Sequence, residues 1–179
     1  MSPTVDIHLR ELEHGDLAQL NSWRNDPEVV DWLGNNFLFI SRDVDDEWFR
    51  SYLANRDRAL RLTIIVTKTG EYIGNVNLTS IHPINRSAEF SILIGERRYW
   101  SQGIGRQASE FMLRHAFNDL NLNRVYLSVL SHHERAIRLY YHLGFAVEGN
   151  LREAIFKHGL FFDLQMMSIL KSEFALKRA

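Results

Sequence analysis

The order in which two hydrophobic periodicities alternate along the chain most limits what this sequence can fold into. Ala88, Phe90, Ile92 and Ile94 alternate with other residues, whereas residues 104–120 repeat apolar side chains every third or fourth position. The first spacing is typical of strands and the second of amphipathic helices. Along the chain the patterns follow the order β-α-α-β-β-β-α-β-α-β-β. This order predicts an α/β-class fold of mixed α+β character, with a partly antiparallel sheet and helices on both faces.

Local signals place the boundaries of these elements. Asp26 can cap a helix that starts at Pro27, and Gly34 is placed to end it. Gly70 lies in a turn between two strands, and Gly144 follows the last turn of a helix. We predict strands at residues 5–12, 61–67, 72–80, 88–94, 125–130, 145–147, 151–156 and 160–170, and helices at residues 14–24, from 27, after Ser41, at 104–120 and at 131–143.

Length and composition restrict the class of protein. A chain of 179 residues without a repeat or a Pro/Gly-rich linker fits one domain, residues 1–179. The 21 basic and 22 acidic residues nearly balance, so the charge gives no sign of a nucleic-acid or membrane partner. There is no cysteine, which excludes disulfides and a thiolate nucleophile. No signal peptide or membrane span is visible, and we expect a cytoplasmic protein.

A glycine-rich segment between a strand and an amphipathic helix is the main candidate for a binding site. It reads WSQGIGRQA from Trp100 to Ala108. Glycines at a helix start let the backbone approach a ligand, and the free N–H groups there favour an anion. The spacing also matches G-x-G-x-x-A, a dinucleotide fingerprint. However, residues 95–102 separate the glycines from their strand, and residues 125–130 lack the acidic residue that binds a ribose.

Two motifs in this order resemble the GNAT N-acetyltransferases. The segment from Tyr99 to Ala108 is similar to the family's acyl-CoA pyrophosphate loop. The segment from Glu134 to Phe145, ERAIRLYYHLGF, is similar to its second signature, which ends in Tyr-x-x-Leu-Gly-Phe. Residues 23–29 resemble the amino-terminal region of the branch that contains ribosomal-protein, spermidine and amino-sugar acetyltransferases. The resemblance covers most of the chain.

The resemblance implies a fold, a cofactor and a set of site residues. It implies a largely antiparallel sheet with a central strand fork, acetyl-CoA as acyl donor, and direct attack of a primary amine on the thioester. The implied general acid is Tyr140, and Glu89 is the candidate base, acting through water. The implied cofactor contacts are the backbone of Ile92, Leu93 and Ile94, the loop residues Ser101, Gln102, Gly103, Ile104, Gly105 and Arg106, and His133.

Two positions depart from the family pattern. Trp100 stands where the loop usually begins with Gln or Arg, and His133 replaces an Asn. A change at the first position matters little if the loop binds through backbone amides. Ser131 and Glu134 fit a capping box for the helix that follows them. The eight histidines show no metal-ligand spacing, so we expect no metal.

The sequence leaves the acceptor open. A small-molecule amine, such as a polyamine or an amino sugar, and a protein N-terminus both fit. A closed acidic pocket would favour the first, and a shallow groove would favour a peptide. An alternative of another class is a CoA-binding sensor or partner module that has lost catalysis. Oligomeric state is open too, and a homo-oligomer remains possible.

Overall fold

Seven strands pair into one sheet in the computed structural model, which describes residues 5–34 and 38–176. They lie in the sheet in the order β1-β2-β3-β4-β5-β7-β6. The strands are β1 (Ile7–Glu11), β2 (Leu60–Val66), β3 (Tyr72–His82), β4 (Ser87–Ile94), β5 (Arg124–Leu130), β6 (Ala146–Lys157) and β7 (Leu160–Leu170).

In the described ranges, six α-helices connect and flank the strands. Short 3-10 segments at His14–Asp16 and Arg97–Tyr99 precede two of them, and a π-helical segment, His115–Asp119, follows a third. The α-helices are α1 (Leu17–Arg24), α2 (Pro27–Val30), α3 (Arg42–Ala54), α4 (Ile104–Arg114), α5 (Glu134–Leu143) and α6 (Lys171–Leu176).

The sheet is antiparallel except between β4 and β5. These two strands run parallel and pair only at three positions, the last of which joins Glu89 to Tyr126. Beyond that pair they separate, although β3 continues to pair with β4 as far as Ile94. The expected mixed sheet with a central fork is confirmed.

Two apolar clusters cover the two faces of this sheet. On one face the buried residues of α4 and α5, among them Met112, Leu113 and Leu143, pack against strand residues such as Val76 and Phe90. On the other face a smaller cluster joins α1 and α3 through Leu20, Trp23 and Phe49, among others. Neighbouring residues of a strand point to opposite faces, so each strand contributes to both layers.

Several boundaries differ from the expectations. The helix that starts at Pro27 ends at Val30, because a turn at residues 31–34 follows it, so the assignment of its end to Gly34 is wrong. Asp26 does cap this helix by accepting a hydrogen bond from the Glu28 N–H. Residues 146–157 form one strand rather than two, and a register shift between Val147 and Gly149 coincides with the break in the pattern.

The last hairpin reaches back to the amino-terminal helices. The Lys157 ammonium is buried and donates to the Val30 carbonyl oxygen over 2.6 Å. Next to it, His158 Nε2 lies 2.7 Å from Asp31 Oδ1. These contacts hold the end of α2 against the turn between β6 and β7.

Close approach of β3 and β4 requires a glycine at position 74. A Cβ built there would lie 2.1 Å from the Leu93 carbonyl oxygen, which is backbone and cannot move aside cheaply. We expect Gly74→Ala to lower the free energy of unfolding by about 1–3 kcal/mol, as in other overpacked sites. Thermal denaturation measures this as a loss of about 2–4 °C per kcal/mol. Gly15→Ala, where a Cβ meets nothing within 4 Å, is the control and should keep the wild-type melting temperature.

Candidate active site

The fork between β4 and β5 opens into a cavity of about 330 Å³, which we call the fork cavity. One wall is β4 from Phe90 to Ile94, and the opposite wall is β5 from Ser128 to Leu130. The start of α4 and one face of α5 close it. Strands that separate leave backbone groups without a ladder partner, and such groups are free to bind a ligand.

The backbone of β4 is available at some positions of the fork and occupied at others. The Gly95 N–H donates to the Ile73 carbonyl oxygen, and the Leu93 carbonyl oxygen faces Gly74 on β3. Because hydrogen-bonding directions alternate in an antiparallel pair, Ile92 and Ile94 direct their backbone groups toward the fork. The Ile94 carbonyl oxygen accepts a hydrogen bond from Trp100 Nε1 over 2.7 Å. Ile92 is therefore the open position, whereas the Leu93 side chain packs with the α1 and α3 cluster on the opposite face.

The glycine loop shapes the start of α4 for an anion. Ser101 and Gly103 have φ angles of 63° and 81°, in the left-handed region. The first hydrogen bond of α4 joins the Gln107 N–H to the Gly103 carbonyl oxygen, and no side chain caps the helix. The N–H groups of residues 103–106 thus have no partner within the helix. Together with the helix dipole they favour a phosphate group.

Side chains around the loop add positive charge on the same side. Arg106 lines the fork cavity and contacts Glu110 over 2.8 Å. The Arg135 guanidinium lies over the Trp100 ring, 4.6 Å from its centre, and also lines the fork cavity. Gln102 differs from the other loop residues, because its amide donates to the Arg98 carbonyl oxygen and its side chain does not line the cavity. The expected role of Gln102 in binding cofactor is therefore limited to the loop backbone.

Tyr140 lies on the buried face of α5 and lines the fork cavity. Its ring packs edge-on against Phe90 and also contacts Phe145. Among the residues that the structure describes, none is hydrogen-bonded to its hydroxyl. Burial raises the pKa of Tyr140, so its phenol keeps its proton at neutral pH. The neighbouring Tyr141 is 51% exposed and points away from the cavity, as the helical turn of about 100° per residue requires.

His133 lies at the start of α5 and is half-buried in the wall of the fork cavity. Its Nδ1 atom is buried without a hydrogen-bond partner in the described part of the chain, and its ring lies 4.7 Å from that of Trp32. Burial and the nearby charge of Arg135 lower the pKa of His133 to about 4. The ring is neutral near pH 7, so the Nδ1 atom is able to bind a polar group of a ligand.

The capping box predicted for α5 is wrong. His133, not Ser131, is the residue before the first turn, and its side chain forms no capping hydrogen bond. The Ser131 hydroxyl instead contacts Asn150 over 2.9 Å, and Glu134 pairs with Arg138 over 3.0 Å. A turn at residues 131–132, closed by a hydrogen bond from the His133 N–H to the Leu130 carbonyl oxygen, places Ser131 next to the last hairpin, which local sequence does not reveal.

A second cavity of about 530 Å³ lies on the other face of β4, under α1 and α3. We call it the acceptor cavity. It shares the wall from Phe90 to Leu93 with the fork cavity, together with Leu33, Gly34 and Ser128. Its polar lining consists of Arg24, Arg61, Asn75, Asn77, Thr79, Glu89, Ser91 and Ser128.

Glu89 belongs to the acceptor cavity rather than to the fork cavity. It is half-buried and sits at the last β4–β5 pair, where the two strands separate. The predicted acid and base thus lie on opposite sides of one strand. Leu33, Gly34 and Arg61 were not predicted as site residues, because only the packing of α1 to α3 on the sheet brings them there.

Within residues 5–34 and 38–176, no group of three or more His, Asp or Glu side chains is arranged to hold a metal ion. None of the helices in these ranges combines the length and the apolar composition needed to cross a membrane.

Comparison with known proteins places the chain among acetyltransferases. Residues 6–146 match the model of the acetyltransferase (GNAT) domain. A spermidine N(1)-acetyltransferase of Vibrio cholerae is 32% identical over 169 residues, which cover 94% of this chain and 95% of the relative. One from Escherichia coli K12 is 29% identical, over 97% of this chain and 91% of the relative.

A solved structure agrees with these matches. The crystal structure of spermidine N-acetyltransferase from Vibrio cholerae in complex with CoA and spermine superimposes with a TM-score of 0.88 at 30% identity. The match covers 94% of this chain and 98% of that chain.

The left-handed conformation at position 103 makes the loop sensitive to a side chain. Gly103→Ala meets no neighbouring atom, but a φ of 81° costs a non-glycine residue about 1–2 kcal/mol. We expect CoA affinity to fall by roughly 5- to 30-fold, measured by calorimetry, because the loop relaxes out of its anion-binding shape. Gln102→Ala is the matched control and should bind CoA like the wild type. Equal affinity in a folded Gly103→Ala variant would contradict the loop assignment.

The low pKa of His133 makes part of the stability pH-dependent. Histidine in the unfolded chain has a pKa of about 6.5, so between that pH and about pH 4 only the unfolded chain binds the proton. The free energy of unfolding therefore falls as the pH drops through this window. We expect His133→Asn to lose less melting temperature than the wild type between pH 7 and pH 4.5. His8→Asn, at an exposed position, is the control and should lose as much melting temperature as the wild type over this range. Parallel curves of melting temperature against pH for all three proteins would contradict the low pKa of His133.

Proposed function

This chain belongs to the GNAT acetyltransferase family, and on that premise we propose that it acetylates the primary amine of a small molecule, with Tyr140 as general acid and Glu89 as base. It is an acetyl-CoA-dependent N-acetyltransferase. One observation carries the assignment of roles. Tyr140 and the anion-binding loop line the fork cavity, whereas Glu89 lines the acceptor cavity behind the same stretch of β4.

The residues of the fork cavity fit acetyl-CoA along its length. The loop N–H groups of residues 103–106, with Arg106 and Arg135 nearby, suit the pyrophosphate. The free backbone of Ile92 suits the amides of the pantetheine arm, and the neutral Nδ1 of His133 can accept or donate a further hydrogen bond. When bound, acetyl-CoA supplies the activated acetyl group as a thioester.

Tyr140 is suited to donate a proton to the departing thiolate. A thiol in water has a pKa of about 8.5, below that of a phenol. In water, proton transfer from the phenol to the thiolate would therefore be unfavourable. The same apolar surroundings that raise the pKa of Tyr140 also disfavour a buried thiolate and raise the pKa of its thiol. The two acidities are thereby kept comparable, which is the condition for effective general acid catalysis.

Glu89 is suited to receive the proton that the attacking amine must lose. A primary amine with a pKa of about 10.4 is protonated at neutral pH and cannot attack in that form. Glu89 lies where β4 leaves β5, and thus at the boundary between the two cavities. We propose that a water molecule relays the proton to the Glu89 carboxylate.

The shape of the acceptor cavity supports a small molecule. Its walls come from α1, α3, the strands β3 and β4, and the last hairpin through Ile155 and Leu164. A volume of about 530 Å³ suits a metabolite, whereas a protein N-terminus needs a groove along which a chain can continue. The relatives named for spermidine support a polyamine as the first acceptor to test.

Removal of the Tyr140 hydroxyl tests its role. Tyr140→Phe keeps the ring that packs against Phe90, so it should fold and bind CoA normally. We expect kcat with the best amine of an acceptor panel to fall by about 10²- to 10⁴-fold, the usual contribution of a positioned acid. Because the lost interaction forms as the thiolate departs, KM should change little.

Tyr141→Phe is the matched control, because it removes the adjacent hydroxyl on the exposed face of α5. It should keep wild-type kinetics. Full activity of Tyr140→Phe would show that the thiolate is protonated by water or substrate. Loss of activity only in Tyr141→Phe would mean that the two tyrosines have exchanged roles.

A further inference from the structure

Arg61 is a cation of the acceptor cavity that has no counter-ion among the residues that the structure describes. It stands near the start of β2, and its guanidinium lies over two rings, 4.8 Å from the centre of Trp48 and 5.7 Å from that of Tyr52. Its Nε atom is buried and has no hydrogen-bond partner in the described residues. Burial lowers the pKa of Arg61, and the neighbouring Arg24 acts in the same direction. The side chain nevertheless stays charged, because an arginine in a protein does not lose its proton.

The other charges around Arg61 do not balance it. Arg24 is paired with Asp45, a carboxylate that is only 1% exposed and also accepts a hydrogen bond from Asn21. Asp45 does not line the cavity; Glu89 does, but it stands two strands away from Arg61, about 10 Å by strand spacing. No ion pair joins it to Arg61 in the described part of the chain. A half-buried cation without a partner is costly, and an anion from outside would remove that cost.

Arg61 is also held in a way that suits a binding group. Trp48 and Tyr52, both on α3, fix the plane of its guanidinium, so little side-chain freedom remains to be lost on binding. Asn77 and Ser91 follow Arg61 across the sheet in register and are joined by a hydrogen bond of 3.1 Å. They lead from Arg61 to β4, where the amine would meet the acetyl group.

We infer that Arg61 binds an anionic group, a carboxylate or a phosphate, carried by the same molecule as the acceptor amine. The substrate is then a molecule that carries both an amine and an anionic group, such as an amino acid or a phosphorylated amino sugar. A polyamine carries cations alone and would leave Arg61 without a counter-ion. This inference rests on the proposed function for the identity of the site, and it adds the charge of the substrate.

Acceptors in matched pairs test the inference. Suitable pairs are tyramine with tyrosine, putrescine with ornithine, and glucosamine with glucosamine 6-phosphate, with spermidine as a further acceptor. The wild type should acetylate the anionic member of at least one pair with the higher kcat/KM. The pair that responds tells whether the anion is a carboxylate or a phosphate.

Variants of Arg61 connect this preference to the residue. Arg61→Gln should lower kcat/KM for the anionic acceptor by about 10- to 100-fold, mainly through KM, because a charged hydrogen bond is lost. Its kcat/KM for the member of the pair that lacks the anionic group should fall much less, and its affinity for CoA, which would bind in the other cavity, should match the wild type. Arg61→Lys keeps the positive charge but not the planar guanidinium, so its kcat/KM for the anionic acceptor should fall less than that of Arg61→Gln. Arg58→Gln, an exposed arginine before β2, is the control and should behave like the wild type.

Binding without turnover separates the two proposals. Calorimetry with the CoA-loaded protein should show anionic amines binding to the wild type and weakly to Arg61→Gln. Such binding without acetylation of any amine would contradict the proposed function but support the anion site. The anion site would be overturned if spermidine were the best acceptor and Arg61→Gln and wild type had equal kcat/KM across the panel. Equal binding of anionic amines by both proteins would overturn it as well.

Discussion

The structure depends on the early end of one strand pairing. β4 and β5 pair at three positions and then separate, so a central strand of the sheet carries backbone groups that no neighbouring strand satisfies. Buried backbone groups must find partners, and among the residues that the structure describes one side chain supplies such a partner, the Trp100 indole on the Ile94 carbonyl oxygen. On the proposed site assignment, the remaining positions bind the cofactor. Acetyl-CoA would then complete the hydrogen bonding of the sheet as well as fill a cavity.

The alternation of side chains along β4 separates the two halves of the chemistry. Phe90 and Ile92 point to the face that carries α4 and α5, where Tyr140 and the glycine loop lie. Glu89 and Ser91 point to the opposite face, under α1 and α3. We therefore propose that this strand has the acyl donor on one side and the acceptor on the other, and that the reacting groups meet where the strand is free of β5. The surroundings of Tyr140, the proposed general acid, are apolar, whereas the acceptor cavity is lined by polar and charged side chains.

The sequence predicts best those features that are encoded by neighbouring residues. The glycine turn before α4, the cap at Asp26 and the end of α5 at Gly144 follow from short-range rules, and the structure contains them. The choice of Tyr140 rests on the family resemblance, and the structure places Tyr140 in the wall of the fork cavity. The capping box at Ser131 fails because a distant partner, Asn150, competes for the hydroxyl. In the sequence, nothing distinguishes Arg61 from other polar residues at the solvent-facing positions of a strand. Its isolation becomes visible only when α3 places Trp48 and Tyr52 over its guanidinium and no ion pair in the described part of the chain reaches Arg61.

The contact between the last hairpin and the end of α2 has a consequence for how the active protein arises. Lys157 and Val30 are 127 positions apart, and the acceptor cavity needs walls from Leu12 to Leu164. Contacts across such separations form late, since the intervening chain must first be ordered. During synthesis the cofactor loop and α4 leave the ribosome well before β7. The fork cavity is lined by residues up to Tyr140, whereas the acceptor cavity also needs Ile155 and Leu164, so the acceptor cavity is the later of the two to be completed during synthesis.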